Sequence, residues 1–373
     1  MNPRWGFIRA FLDERRAADR LRERPTGGPD GLIDVASNDY LGMRRRPALT
    51  EAAIAAVKTH GAGSGASRLL GGTTPLHAEL ERSLADYTGR EAALLFNSGY
   101  QLNTSLIPAL ATRGTRIYMD RLNHHSLYQG AVASRADIQR YRHADLGHLE
   151  TLLKADEGAD VRRIIVSEAV FSMDGDIAPI DGLIALAEAY DAILIIDEAH
   201  SIGLFGEQGR GLCAGKERID IVIGTFGKAF GTFGAFVAGS AEIRDYLVNA
   251  CGGFIYTTAL PPAVVGATSG ALRILPYLKA ERELVFEHAR RLRDALSAKG
   301  IDTRGSVSPI VPAVIGTDSA ALAASRILEE AGFRAHAVRP PTVEEGTARI
   351  RFTLSAAHTR EQIDRLIEAV GGL

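Results

Sequence analysis

The chain contains 373 residues, of which 46% are hydrophobic and 24% are charged, so it is within the globular range and long enough for two hydrophobic cores. The 43 Lys and Arg residues nearly balance the 45 Asp and Glu residues, and the formal net charge of −2 excludes a whole-protein field that would attract nucleic acid or an anionic membrane. No window approaches the roughly 18 unbroken apolar residues of a membrane span, and no apolar segment typical of a secretory signal follows the N-terminal arginines. We expect a cytoplasmic protein whose partners bind in a pocket.

The first predicted element is an amphipathic helix from Phe7 to about Arg24 that lies on something else. Prolines and glycines between residues 25 and 31 end it and lead into a short strand over 32–35. A second helix is well marked, because Thr74 can cap it, a proline occupies its first turn and Gly89 can stop it.

Strands and helices then alternate. The apolar segments are continuous rather than alternating, which is typical of strands buried on both faces and predicts an α/β fold with a mostly parallel sheet flanked by helices. The predicted strands are 92–96, 116–119, 163–167, 192–196, 221–224 and 234–238, with a helix over 180–190 among them.

Beyond residue 262 the pattern changes to a long helical region through residue 300, followed by strands over 310–315 and 349–353 and helices over 319–331 and 359–370. This indicates a smaller C-terminal α+β domain. The predicted division is an N-terminal helical arm over 1–45, a large domain over 46–258 and a small domain over 259–373.

The most informative segments are residues 192–200, a buried strand that ends in Asp197, and residues 224–228, a Gly-rich loop that ends in Lys228. Ligands of open α/β sheets bind beyond the carboxyl ends of the strands, where both side chains are expected. A lysine for a Schiff base and an acid that keeps a pyridinium protonated are what pyridoxal 5′-phosphate (PLP) requires. The pair therefore predicts a PLP enzyme.

Each residue alone has a plainer interpretation, since an acid at a strand end is often a helix cap and a lysine in a loop is usually solvated. The Asp-Glu-Ala-His segment at 197–200 also occurs in helicases, but those need a Gly-x-x-x-x-Gly-Lys-Ser/Thr phosphate loop that this chain lacks. The glycines at 61–65 have neither a preceding strand nor dinucleotide-binding spacing, and we interpret them as a flexible loop near the substrate.

Asn97-Ser98-Gly99-Tyr100 is a better candidate for a phosphate site, because it connects a strand to a helix whose N-terminus favours an anion. After the next strand, His124 and His125 also point towards the expected site. An imidazole there could stack on a cofactor ring, and the chemistry alone does not choose between the two. The two cysteines, Cys213 and Cys251, lack the spacing of a zinc site, so we expect no metal.

Six segments together resemble the α-oxoamine synthase family of fold-type I PLP enzymes, in order and in spacing, over nearly the whole chain. They are residues 37–42, 61–72, 167–176, 197–200, 203–211 and 225–228. Within the family, the resemblance is strongest to the members that use alanine. Four segments carry it: residues 12–19, 255–262, 338–343 and 348–351. Two points remain open: His125 stands where the family usually has a small residue, and Glu168 has no assigned role.

The resemblance implies that Lys228 carries PLP as a Schiff base, that Asp197 pairs with the pyridinium nitrogen and that His124 stacks on the ring. It implies that His200 and Ser172 hydrogen-bond the phenolic oxygen. The implied phosphate contacts are Gly99, Tyr100, Thr225 and, from the partner of a homodimer, Thr257 and Thr258.

For the substrates, the resemblance implies that Arg351 binds the amino-acid carboxylate through its planar, bidentate donors. The resemblance also places four other residues near the acyl substrate or the amino acid: Arg22, Asn38, Thr342 and Thr353. The implied reaction condenses L-alanine with a pimeloyl thioester of coenzyme A or acyl-carrier protein, releasing CO2 and free thiol, as in biotin biosynthesis. The alternative is another reaction of this family, such as the glycine-using synthesis of 2-amino-3-oxobutyrate.

Overall fold

The computed structural model describes residues 3–22 and 31–373. It contains two compact units. The larger comprises Asp39–Ser172 and Ile177–Arg282, and the smaller comprises Met1–Asn38, Met173–Asp176 and Glu283–Leu373. The division at residues 45 and 258 drawn from the sequence stays a prediction about folding domains.

The described residues form twelve strands. They are β1 Ile33–Asp34, β2 Ala92–Phe96, β3 Thr115–Asp120, β4 Asp137–Tyr141, β5 Arg162–Glu168, β6 Ala192–Asp197, β7 Ile221–Thr225, β8 Ala235–Gly239, β9 Ile310–Gly316, β10 Phe333–Arg334, β11 Ala337–Val338 and β12 Ala348–Thr353.

The same residues form thirteen α-helices. They are α1 Gly6–Ala17, α2 Pro47–His60, α3 Pro75–Thr88, α4 Gly99–Leu110, α5 His125–Ser134, α6 Leu146–Ala155, α7 Ile180–Ala189, α8 Ala241–Ala250, α9 Gly252–Ile255, α10 Pro262–Ile274, α11 Lys279–Ala298, α12 Asp318–Glu330 and α13 Arg360–Ala369.

The larger unit contains a seven-stranded sheet with the order β2-β8-β7-β6-β5-β3-β4. All neighbours are parallel except β8, which is antiparallel to β2 and β7. Successive side chains of β5 enter different cores: Ile164 and Val166 pack with residues of α4 and α5, whereas Ile165 packs with residues of α6 and α7. Helices therefore cover both faces, and the predicted α/β fold with a mostly parallel sheet is confirmed.

Strand β4 was missed because its sequence, Asp-Ile-Gln-Arg-Tyr, is largely polar. It is the outer strand next to β3 and has only one fully buried residue, Tyr141, so it needs no apolar run. The predicted helix after Thr74 is confirmed as α3: Thr74 forms a capping box with His77, and Gly89 ends the helix in the left-handed conformation at φ 68°.

The predicted N-terminal helix is shorter than expected. It ends at Ala17 instead of near Arg24, which lies outside the described residues, and none of its described residues is buried. Phe7 is 73% exposed and Phe11 is 52% exposed. Ile8 and Leu12 are half-buried, and the packing of this helix on another surface stays a prediction.

In the smaller unit, β11, β12 and β9 form an antiparallel sheet and β1 pairs with β10 in parallel. Every residue of β12 is buried. Because side chains alternate along a strand, Arg349 and Arg351 share one face of it. Within residues 3–22 and 31–373, no helix is long and apolar enough to cross a membrane.

Candidate functional site

Lys228 lies three residues beyond β7, at the carboxyl edge of the seven-stranded sheet. Its Nζ is hydrogen-bonded to His200 Nε2 at 2.8 Å, and His200 Nδ1 is bonded to the hydroxyl of the fully buried Tyr40 at 2.6 Å. His200 follows β6, the neighbour of β7, so adjacent strands bring the lysine and the imidazole together. The amine is therefore held at a defined position next to a proton-accepting group.

Asp197 is the last residue of β6 and is only 5% exposed. Its Oδ1 accepts a hydrogen bond from the backbone N–H of Ala199 at 2.9 Å, and its Oδ2 accepts one from Asn103 Nδ2 at 2.9 Å. A buried carboxylate held by neutral donors keeps its negative charge available for a further cationic donor. This is the chemistry that a pyridinium nitrogen needs.

His124 caps α5, and its Nδ1 lies 2.7 Å from Ser126 Oγ. The residue keeps an exposed surface, but the protein atoms around its imidazole desolvate it and lower its pKa. The charge of Lys228 lowers this pKa further, and the carboxylate of Asp197 opposes the shift. The side chain that the resemblance selected is thus influenced by both of the groups expected to contact the cofactor.

Glu168, for which the sequence suggested no role, ends β5 and is 2% exposed. Its Oε1 accepts a hydrogen bond from the backbone N–H of His124 at 2.6 Å, and its own backbone N–H donates to Asn123 Oδ1 at 3.2 Å. Burial raises its pKa well above the ordinary value, and the nearby Asp197 charge adds to the shift. Glu168 therefore fixes the backbone of the loop that carries His124.

The predicted phosphate site lies at the start of α4. Ser98 caps this helix by accepting from the backbone N–H of Gln101, and Gly99 and Tyr100 form its first turn. A Cβ added to Gly99 would lie 3.9 Å from the Thr225 side chain, so residues predicted from two distant segments are neighbours. A helix N-terminus beside a hydroxyl is a suitable environment for a phosphate.

Asn97 connects this helix start to a further predicted segment. Its Nδ2 donates to Thr257 Oγ1 at 3.1 Å and to the Thr258 carbonyl at 3.0 Å. Thr258 is exposed, as is His125 in the first turn of α5, whereas Ser172 is 6% exposed. Their contacts with a cofactor stay predictions.

The smaller unit brings together three of the predicted substrate residues. Arg351 donates through Nη1 to Thr353 Oγ1 at 2.7 Å, and both Nη atoms lie 3.2 Å from Asn38 Oδ1. Separately, Arg22 donates to Thr342 Oγ1 at 2.9 Å, in an exposed contact. Arg351 is thus held by an amide and a hydroxyl oxygen.

Three contributors escaped the sequence analysis: Tyr40, Asn103 and Ser126. Tyr40 occurs within a segment used for the resemblance but carried no role, whereas Ser126 and Asn103 lie outside those segments. Asn103 matters because the turn of α4 that carries it faces Asp197. Among the described residues, no group of three or more His, Cys, Asp or Glu side chains is arranged to hold a metal ion.

This arrangement has a clear counterpart among known proteins. The model of the family described as aminotransferase class I and II matches residues 30–370. The chain belongs to this family, and it is a PLP-dependent enzyme with the type I fold. The residues present fit the cofactor, because they include an amine, a buried carboxylate, an imidazole and a helix N-terminus on one sheet edge.

Two similar proteins have names that are more specific than the family description. A protein of Desulfosudis oleivorans named putative 8-amino-7-oxononanoate synthase is 48% identical over 98% of this chain and 97% of its own length. The 8-amino-7-oxononanoate synthase of Geobacter sulfurreducens is 48% identical over 91% of this chain and 88% of its own length.

Solved structures agree on the fold. Serine palmitoyltransferase from S. paucimobilis, in a variant with bound PLP and myriocin, is 30% identical with a TM-score of 0.90, covering 99% of this chain and 97% of its own. The 8-amino-7-oxononanoate synthase of Francisella tularensis is 28% identical with a TM-score of 0.80, covering 92% of this chain and 98% of its own.

Proposed function

We propose that this enzyme condenses L-alanine with a pimeloyl thioester, releasing CO2 and the free thiol and forming 8-amino-7-oxononanoate for biotin synthesis. The observation that carries the proposal is the 48% identity, over nearly the full length, to a relative that bears the name of this synthase. The site supports it, since Lys228, Asp197 and His124 are the groups that such a PLP reaction requires.

When bound, PLP supplies an electron sink that stabilises negative charge on the α-carbon of the amino acid. We propose that Lys228 attaches the cofactor through Nζ and that Asp197 holds its ring nitrogen protonated. His200 and Ser172 bind its phenolic oxygen, and His124 stacks on its ring. The phosphate contacts are Gly99, Tyr100, Thr225 and, from a partner subunit, Thr258.

In this proposal Lys228 also moves the proton. Once the substrate amine has displaced it, the free Nζ accepts the α-proton of alanine as a general base and later returns a proton to the product. The hydrogen bond between Nζ and His200 Nε2 keeps Nζ oriented between these transfers. Because an amine must be neutral to accept a proton, a neighbouring imidazole that can take a proton favours this role.

Arg351 is proposed to bind the alanine carboxylate. A guanidinium presents paired N–H donors that match the two carboxylate oxygens, and Asn38 and Thr353 fix its plane. Arg22 and Thr342 are proposed as neighbours of the acyl substrate.

The test is thiol release from pimeloyl-coenzyme A by the PLP-loaded enzyme, with L-alanine, glycine and L-serine compared side by side and the product identified by mass spectrometry. Alanine-dependent release with formation of 8-amino-7-oxononanoate is expected. Release only with glycine or serine would contradict the proposed reaction but not the assignment to the family. If coenzyme A thioesters are inert, the same assay with pimeloyl-acyl-carrier protein decides whether that thioester is the donor.

We further propose a cytoplasmic homodimer with shared active sites. Support for a reducing compartment comes from Cys213 and Cys251, which are both buried free thiols. Light scattering coupled to size-exclusion chromatography is expected to give twice the 39.9 kDa chain mass, and a monomeric mass at working concentration would contradict the shared site.

A further inference from the structure

A continuous chain of hydrogen bonds joins Asp197 to His124 within the larger unit. Asn103, which is 2% exposed on α4, donates from Nδ2 to Asp197 Oδ2 at 2.9 Å and to Ser126 Oγ at 2.9 Å. Ser126 Oγ lies 2.7 Å from His124 Nδ1. One buried amide thus connects the acid expected to hold the cofactor nitrogen with the imidazole expected to stack on its ring.

The orientation of the Asn103 amide follows from its partners. A carboxylate can only accept hydrogen bonds, so the amide nitrogen, and not the amide oxygen, must face Asp197. The two N–H groups of Nδ2 are then used by Asp197 and Ser126. The amide oxygen of Asn103 is buried and has no hydrogen-bond partner among the described residues, so the flipped amide would gain no compensating contact.

The hydrogen-bond partners of His124 likewise determine which ring nitrogen carries the proton. The backbone N–H of Ser126 points at His124 Nδ1 at 3.3 Å, and a backbone N–H can only donate. Because Ser126 Oγ accepts from Asn103, its own hydrogen is available to donate to Nδ1 as well. Nδ1 therefore accepts twice, and the proton of the neutral ring must be on Nε2.

We propose that Asn103 and Ser126 are positioning residues that hold His124 as a neutral imidazole protonated on Nε2 and tie it to the carboxylate of Asp197. The proposal rests on PLP binding and not on which thioester is condensed. A neutral ring leaves no second cation beside the cofactor nitrogen that Asp197 keeps protonated, and its Nε2–H remains a hydrogen-bond donor.

The charged and titratable groups that act on His124 agree with this assignment. Burial lowers its pKa, Lys228 and His125 lower it further, and Asp197 raises it. Glu168 contacts the backbone of His124, and burial raises its pKa, which weakens the support that its charge could give to an imidazolium. The balance favours the neutral ring at pH 7.

The direct test is 15N NMR of the PLP-loaded enzyme labelled at histidine, with the His124 signals identified from their loss in His124→Gln. We expect a neutral ring with the proton on Nε2 and a titration midpoint below the ordinary value of about 6.5. In Ser126→Ala the share of the Nε2–H form should fall and the midpoint should shift. Ser134→Ala is the matched control, because Ser134 is on the same helix, is also buried and donates only to the Ala131 carbonyl.

A proton on Nδ1 in the wild-type enzyme, or a Ser126→Ala spectrum identical to that of the control, would overturn the proposal. Asn103→Leu keeps the shape of the side chain and removes its N–H groups. It should change the pH dependence of the cofactor absorbance and slow turnover roughly tenfold or more, because it removes two hydrogen bonds, one of them to a carboxylate. Unchanged absorbance in this variant would also contradict the proposal, whereas absent alanine turnover in the wild type would contradict only the proposed reaction.

Discussion

The polar groups of the larger unit and those of the smaller unit are assembled in different ways. In the larger unit, Asp197, Glu168 and Lys228 come from the ends of separate parallel strands, and neutral side chains connect them. In the smaller unit, Arg349 and Arg351 are alternate residues of β12. The ends of parallel strands bring together side chains from distant segments. On one face of a single strand, by contrast, Arg349 and Arg351 are the same residue type, and only their hydrogen-bond partners make them different.

The two arginines show what those partners do. Arg349 is 3% exposed and forms an ion pair with Asp174, which also lies 3.7 Å from Arg304. Arg351 donates to the oxygens of Asn38 and Thr353. The ion pair with Asp174 gives Arg349 a role in the fold, whereas a guanidinium is the group that suits the substrate carboxylate proposed for Arg351.

The largest effect is expected at the strand-end site. Lys228→Ala should lower turnover by several orders of magnitude and abolish the Schiff-base absorbance, because Lys228 is the proposed attachment point of the cofactor. Absorbance spectra and steady-state rates measure both. Lys216→Ala is the control, since this lysine pairs with the exposed Asp181 in the same unit. Near-normal turnover of Lys228→Ala would contradict its assignment.

The ion pair of the smaller unit should matter for stability. Arg349→Leu leaves Asp174 buried without its main counter-charge, and we expect the free energy of unfolding to fall by about 3 kcal/mol. Denaturant titration measures the change. Adding Asp174→Asn to this variant should restore part of the loss, and a single variant as stable as the wild type would show that the pair is dispensable.

Arg351→Gln should affect binding more than folding. Losing charge-assisted bonds to the substrate carboxylate is expected to raise KM for alanine roughly tenfold to a hundredfold. Its neighbours Asn38 and Thr353 can pair with the new amide, so the stability change should be smaller than for Arg349→Leu. An unchanged KM would remove Arg351 from the proposed substrate site.

The smallest effect is expected at Glu168. Its raised pKa means that the folded state binds a proton more tightly than the unfolded state, so its contribution to stability is present at low pH and is lost as the pH rises above about 4.5. Glu168→Gln keeps an oxygen for the His124 N–H and does not titrate. Denaturant titrations at pH 5 and pH 8 should show that the variant becomes more stable relative to the wild type at the higher pH. The same difference in unfolding free energy at both pH values would contradict the raised pKa of Glu168.

Much of the fold could be predicted because it depends on local patterns. The continuous apolar segments of β2, β5 and β6 showed strands buried on both faces, and the caps of α3 marked its ends. The polar β4 and the exposed side of α1 escaped the same reasoning, because an outer strand needs few apolar residues and exposure of an apolar helix face is decided by its surroundings.

What the sequence by itself determined was the fold class and the chemistry of the site: a lysine and an acid at the ends of neighbouring buried strands, in segments that resemble one enzyme family. The tertiary structure alone decided which neutral groups connect them. Asn103 and Ser126 are distant from Asp197 along the chain and belong to no catalytic motif. A hydrogen bond depends on angstrom-scale distance and on donor direction, which sequence spacing does not encode between separate elements.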